Sequence, residues 1–333
     1  MVTMLTACPR FPDAGAYRCD PAHPSGPECD GGTTLARCDA DASVCTVLTA
    51  PSDVELRGVF AWEGAIYVVG TKGFLAELHD GGWQVGPIDA AQGATLVGIG
   101  RQGDSLIAVP QNGGVYLVRR PGGNWTRAGL ANQLPVLKVF SRGGNTWIDF
   151  GSGNGPTALW ADGGFHQQDY GLGGAWVDTG APTDEARLAE TLPVHMYSSG
   201  RLSAAVHDEG GSLGNGEWPA DAGFAIYSMS NPNTVASALV AGAGGVVLRV
   251  TDVVERVTST TDADLFDIFG ATADEAWLVG DRGTLLRYDA ASRTISPQQL
   301  EGVSVRLIAG VQPAQEELWL LSAGALFRVH PQR

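Results

Sequence analysis

Short apolar runs recur along this chain at a spacing that suits strands. Residues 56–83 read LRGVFAWEGAIYVVGTKGFLAELHDGGW, and residues 265–288 read LFDIFGATADEAWLVGDRGTLLRY. Between them lie LVGIGRQGDSLIAVPQNGGVYLVRRPGGNW at 96–125 and LKVFSRGGNTWIDFGSGNGPTALW at 137–160. Residues 305–329 give VRLIAGVQPAQEELWLLSAGALFRV, and 225–250 give a weaker copy, AIYSMSNPNTVASALVAGAGGVVLRV. Each copy parses as four short strands. An apolar first strand such as Leu56–Phe60 leads through a Gly- or Asp-bearing loop to the second. The second is the most hydrophobic, as in Ile66–Val69, Leu106–Val109, Ala238–Val240, Trp277–Val279 and Leu318–Leu321. A glycine turn precedes the third, such as Phe74–Leu78 or Thr284–Tyr288, and the fourth begins near Trp83 or Trp125. No copy has room for a ten-residue helix, which argues against alternating strand–helix units. A second strand that is apolar throughout implies burial on both faces.

First strands start near Leu56, Leu96, Leu137, Ala225, Leu265 and Val305. Neighbouring starts lie about 40 residues apart, except that the gap from Leu137 to Ala225 holds two copies. A degenerate seventh copy is expected at 176–222, with a short helix at Asp184–Glu190 capped by Thr183. Sheets that must bury both faces against their neighbours close into a circle. The expected architecture is therefore all-β, a seven-bladed β-propeller. The last copy has three strands before Arg333, and Val44-Cys45-Thr46-Val47-Leu48 is a strand with no blade of its own. Adding 44–49 to the last blade would close the ring and cover two open edges. Two parts are expected, a Cys-rich segment at 1–43 and the propeller at 44–333.

Composition fits this pattern. Gly is 46, Pro 18 and charged residues only 17%, while 44% of residues are hydrophobic, so the chain can bury a core. Net charge is −15, which repels phosphate backbones and excludes nucleic acid as an expected partner. Lys72 and Lys138 are the two lysines against nineteen arginines, read as codon bias. No run reaches the ~18 apolar residues of a membrane span.

All five cysteines fall in the first 45 residues. Cys19, Cys29, Cys38 and Cys45 are separated by nine, eight and six residues, unlike the paired spacing of zinc sites, and read as a disulfide module of an oxidising compartment. Their pairing allows three connectivities. Leu5-Thr6-Ala7-Cys8 resembles a bacterial lipobox, which would make Cys8 a lipidation site and account for the odd count. Only Met1 to Met4 precede it, so the charged and apolar leader is missing, which implies an internal start or a trimmed one. The expected location is exported: a cell-surface or outer-membrane lipoprotein, or periplasmic. Membrane contact would come only through the lipid anchor.

Asp80-Gly81-Gly82-Trp83, Gly122-Gly123-Asn124-Trp125, Asp162-Gly163-Gly164-Phe165 and the pairs Val69-Gly70 and Val279-Gly280 carry a resemblance. The copies resemble the seven-bladed propellers of exported bacterial proteins, the group with Asp-box and photosystem-assembly-factor-like repeats. The Ser or Thr that precedes the Asp of an Asp-box is absent. The resemblance implies the fold, and binding, scaffolding or assembly more often than catalysis.

Several catalytic signatures dissolve in context. Gly98-Ile99-Gly100-Arg101-Gln102-Gly103 spells a dinucleotide fingerprint, yet a strand follows where a helix is required, so its glycines read as turn residues. Gly103-Asp104-Ser105-Leu106 lacks the Asp-x-x-His of its esterase family, and Asp104 and Ser105 match the turn at Asp274 and Glu275. Gly210-Gly211-Ser212-Leu213-Gly214 matches a nucleophile elbow without its helix; His195 and His207 are near in sequence but no acid is matched to them. Asp39-Ala40-Asp41 begins like a calcium loop, but Val44 stands where Gly is needed, so no metal and no cofactor is expected.

The residues that remain are binding candidates. Asp149 occupies a second-strand position that is apolar in the other copies, so it is either paired or a site. Arg57, Lys138, Asp267 and Arg306 lie in or beside first strands, where a propeller's axial funnel takes ligands. Trp147, Trp277 and Trp319 repeat at one position and read as blade packing. Trp62, Trp176 and Trp218 fall off that pattern and are candidates for an exposed aromatic surface. The expected function is non-catalytic binding of a protein or glycan partner. The alternatives are a structural module of a surface assembly and a glycan-processing propeller of the sialidase or lyase kind. The enzyme would need an arginine cluster and a Tyr or acid pair converging at the axis.

If 44–49 closes the ring, deleting it will lower the melting temperature of the whole propeller in a single transition. An unchanged melting temperature would count against closure.

Overall fold

In the computed structural model the described residues are 34–35, 43–79, 82–130, 133–142, 145–150, 157–161, 164–168, 194–196, 201–207, 213–221, 226–230, 238–250, 254–270 and 275–331. They form seven antiparallel sheets in chain order. Blade 1 comprises Leu56–Trp62, Ala65–Gly70, Phe74–His79 and Gly82–Pro87. Blade 2 comprises Leu96–Gln102, Ser105–Pro110, Val115–Arg119 and Thr126–Gly129. Blade 3 comprises Val136–Arg142, Asn145–Phe150, Thr157–Ala161 and Gly164–Gln168. Blade 4 has three described strands, Val194–Met196, Arg201–His207 and Leu213–Asp221. Blade 5 comprises Ile226–Ser230, Ala238–Gly242, Val247–Val250 and Val254–Val257. Blade 6 comprises Leu265–Phe269, Glu275–Gly280, Leu285–Asp289 and Thr294–Gln298. Blade 7 comprises Leu307–Ala314, Glu317–Ser322 and Ala325–Val329.

Val44–Thr49 pairs antiparallel with Ala325–Val329, so the N-terminal strand becomes the fourth of blade 7. A two-residue strand, Thr34–Leu35, adds a fifth, which extends the propeller sheet ahead of residue 44. Blade 7 also packs its first strand against that of blade 1, joining the two ends of the chain. The architecture is a β-propeller. The helix expected at 184–190 lies outside the described residues, as do Cys8, Cys19, Cys29 and Cys38. Cys45 is disulfide-bonded.

The second strands carry the core. Val68 and Val69, Ile107 to Val109, Leu278 and Val279, and Leu318 to Leu321 are buried, because each lies between two neighbouring sheets. Side chains alternate between the two blade interfaces, so an all-apolar run is the only pattern that fits. Tyr67, Trp277 and Trp319 stand at one register position, opposite Phe60, Phe269 and Val311. Trp277 and Trp319 are buried wedges between successive blades, and Trp319 meets Trp83 edge-on at 6.3 Å.

At two positions first strands approach one another so closely that a side chain is excluded. A Cβ on Gly58 would lie 3.0 Å from Gly98 Cα, and one on Gly98 would lie 2.5 Å from Val139 Cβ. The glycines expected as turn residues at 98 and 100 are therefore strand residues; the strand runs to Gln102, and Gly103 with φ 54° makes the turn. The pairs Val69-Gly70 and Val279-Gly280 have a related cause. At Gly70 and Gly280 the carbonyl oxygens of Glu55 and Asp264 fill the space a Cβ would need. Each of those residues opens its own blade, and its carbonyl accepts the next N–H, from Thr71 at 2.9 Å or Asp281 at 2.9 Å.

Gly280→Ala is expected to cost about 1–3 kcal/mol, since extended backbone leaves sterics as the only penalty. Gly86→Ala meets nothing within 4 Å and should stay within about 0.5 kcal/mol. Equal urea midpoints for the two variants would refute this packing.

Candidate functional site

One face of the ring is woven from the turns between second and third strands and the connections that lead into each blade. Gly73 N–H donates to Ala94 C=O at 2.7 Å, and Gly283 N–H donates to Val305 C=O at 2.7 Å, each joining a turn to the following connection. Lys72 and Arg282 sit at the same position of two such turns, with φ of 58° and 59°. Both reach a carboxylate on the connection into their own blade, Asp53 and Asp262 respectively. Hydrogen bonds from these cations hold both carboxyls below the ordinary aspartate range.

Every four-stranded blade with a described inner bulge begins the same way. Pairing of the first strand slips at its second residue, leaving Arg57, Val97, Leu137, Tyr227, Phe266 and Ile308 as the extra residues. A bulge re-aims the side chain it carries. In blades 5 and 6 the re-aimed side chains are aromatic, and their rings meet at 5.2 Å with a 35° tilt. The strip continues into blade 7, where the Arg306 guanidinium lies 4.6 Å from the Phe266 ring centroid. Asp281 holds that guanidinium, accepting from Nε at 2.6 Å and Nη2 at 3.3 Å, and this hydrogen bonding keeps Arg306 protonated beyond its usual range. Tyr227 is 37% exposed and Val305 45% exposed. Among the described residues these are the exposed large hydrophobic side chains: Tyr227 lies against Phe266, and Val305 is the chain neighbour of Arg306, its carbonyl accepting from Gly283 N–H on this face.

The sequence candidates divide. Arg306 belongs to the strip. Arg57 is held by Glu55 two residues away. Lys138 stands directly opposite Asp149 in the backbone register of blade 3. Asp267 is engaged by the fold: Oδ1 accepts from Ser228 Oγ at 3.2 Å and Oδ2 from Gly310 N–H at 3.1 Å. Ser228 Oγ in turn accepts from Ile268 N–H at 3.1 Å, so one small network ties blades 5, 6 and 7. Trp62 is half-buried on the core between blades 1 and 2, with Arg101 stacked 5.5 Å from its ring. Trp218 lies in the strand Leu213–Asp221, and Trp176 falls outside the described residues. Tyr227, Phe266 and Val305 were missed. Aligning the copies on their first strands puts Arg57, Tyr227 and Phe266 in one column, and that column is the usable signal.

A second set of charges knits the opposite end of the blades. Buried Glu77 receives both guanidinium nitrogens of Arg119 from blade 2, at 2.6 and 2.7 Å, and His79 Nε2 lies 3.2 Å away. Glu275, read above as a turn residue, starts a strand and takes Arg287 Nε at 2.9 Å; Glu317 likewise takes Arg328 Nε at 2.9 Å. These acids are structural partners of third-strand arginines.

The same architecture occurs in known structures. A virginiamycin B lyase from Staphylococcus aureus, solved with quinupristin, matches with 13% identity, 86% of this chain and 98% of that chain covered, at a TM-score of 0.67. YCF48 from Cyanidioschyzon merolae matches with 17% identity, 87% and 99% coverage and a TM-score of 0.61, and a YCF48 structure bound to a D1 peptide also matches. The WD40 propeller domain of Doa1 matches at 11% identity, 86% and 95% coverage and a TM-score of 0.64. At these identities the likeness establishes the fold alone. No protein-family model matches the chain. No curated protein matches it.

Asp267→Ala removes both acceptors, taking from the Gly310 N–H and the Ser228 hydroxyl their partners between the blades. It should cost about 1–3 kcal/mol in urea unfolding. Unchanged stability would show that the network between blades 5, 6 and 7 contributes nothing.

Proposed function

We propose that this chain is an exported binding module, a propeller that holds a protein or glycan partner on the face built from its blade connections. The observation that carries this is the placement of Tyr227 and Val305. Among the described residues, the two large hydrophobic side chains that stay exposed are Tyr227, packed against Phe266, and Val305, next in the chain to the Arg306 that stacks on Phe266. Aromatic residues and arginine are the side chains that dominate the energetics of recognition surfaces. The scaffold beneath is braced, because the described connections into blades 1, 2, 3, 6 and 7 are hydrogen-bonded to the turns beside them. A rigid sheet framework carrying a variable loop face is a common setting for binding. Export and tethering through Cys8 complete the proposal, supported by the lipobox-like LTAC and the clustered cysteines.

The test compares capture from an envelope fraction by the wild type and by a Tyr227→Ser, Val305→Ser variant of equal melting temperature. The variant should lose the species retained by the wild type. Equal capture by both proteins would overturn the assignment of this face.

A further inference from the structure

We propose that the Tyr227–Phe266–Arg306 strip receives a basic, arginine-bearing segment of a partner protein. This rests on the binding function proposed above and names the partner's chemistry.

The protein already shows how a guanidinium sits here. Arg306 lies over the Phe266 face at 4.6 Å and points its fork at Asp281. An aromatic face with a carboxylate beside it favours a delocalised cation through the ring quadrupole and the bidentate hydrogen bonds together. Tyr227 extends the same strip one blade further, 5.2 Å from Phe266, with its ring partly open to solvent. Asp264 lies near by: its Oδ1 accepts Gly244 N–H at 2.8 Å, in the turn of the blade that carries Tyr227. Asp264 thus bridges blades 5 and 6, the two blades whose rings meet.

Charge selects among ligands. The chain carries 36 acidic residues against 21 basic ones, a net −15, which raises the local concentration of cationic segments and slows the approach of anionic ones. An acidic ligand would have to compete with Asp281 for Arg306 and would meet Asp264. A basic segment meets neither obstacle, and the Arg306 charge it approaches is already paired with Asp281. Its arginine stacks on the outer face of Tyr227, while its aliphatic stem covers Val305 or Phe266, both apolar surface.

The experiment uses the full chain and three labelled probes at about 150 mM salt: (Arg-Gly)4, (Glu-Gly)4 and an N-acetylglucosamine hexamer. Anisotropy should show binding of (Arg-Gly)4 alone. Tyr227→Ala should weaken it roughly five- to tenfold, the size expected of one partly desolvated cation–π contact, and Tyr227→Phe should restore it. Asp264→Asn should weaken it as well. Binding of (Arg-Gly)4 that ignores Tyr227→Ala is diffuse attraction to an acidic surface and overturns the inference. Absence of (Arg-Gly)4 binding overturns it too. Preference for the hexamer, lost in Tyr227→Ala, overturns the basic ligand but leaves this face a binding surface. Failure of the binding function itself shows separately, as equal envelope capture by the Tyr227→Ser, Val305→Ser variant.

Discussion

Close approach of neighbouring first strands is the constraint on which this molecule turns. Seven sheets can share a circle only if their inner edges come nearly into contact, and at the closest approaches a Cβ has no room. Gly58 faces Gly98, Gly98 faces Val139, and Gly310 faces the ring of Phe269. Further out the blades diverge, and larger side chains fill the widening wedge: Tyr67, Trp277 and Trp319, then Trp83 on the outermost strand of blade 1. Glycine inside and tryptophan outside are two consequences of one taper. Polar groups that fall in the crowded zone must find partners there, and Asp267 does so through Ser228 and Gly310.

That geometry also explains what could be read from the sequence. The blades were legible because a strand buried on both faces has to be apolar at every position, and AIYVVG, SLIAVP, EAWLVG and ELWLLS announce it. Trp277 and Trp319 were legible as packing residues because they repeat. The glycines were harder. Turn glycines and close-approach glycines look alike in a sequence, and Gly98 and Gly100 were assigned to a turn when they belong to a strand. What separates them is the register bulge after Leu56, Leu96 and Leu265, which shifts the chain by one residue without leaving a mark in composition.

The candidate site was legible only at its edge. Arg306 drew attention as a charge, but its partners Phe266 and Tyr227 looked like ordinary inward-facing residues of an apolar strand. Strict alternation would bury them. The bulge breaks alternation at that one residue, so side chains that the pattern assigns to the core emerge on the face of the ring. Asp267, one residue later, shows the converse: a charge expected to line a site is turned into the blade interface and spent on hydrogen bonds between blades.

One local device therefore serves two ends. The bulge re-aims a side chain on the first strand, and its outcome differs between blades: Val97 and Ile308 pack against the core, whereas Tyr227 and Phe266 meet each other on the face. In this chain the position holds Arg57, Val97, Leu137, Tyr227, Phe266 and Ile308, an uneven set on a regular scaffold. Among the described residues at this position, adjacent aromatics occur between blades 5 and 6, and blade 7 supplies the guanidinium that stacks on Phe266. A repeat fold that is otherwise symmetric acquires a distinct sector in this way. Recognition needs such a sector, because a ligand can be oriented only by a surface that differs from one blade to the next.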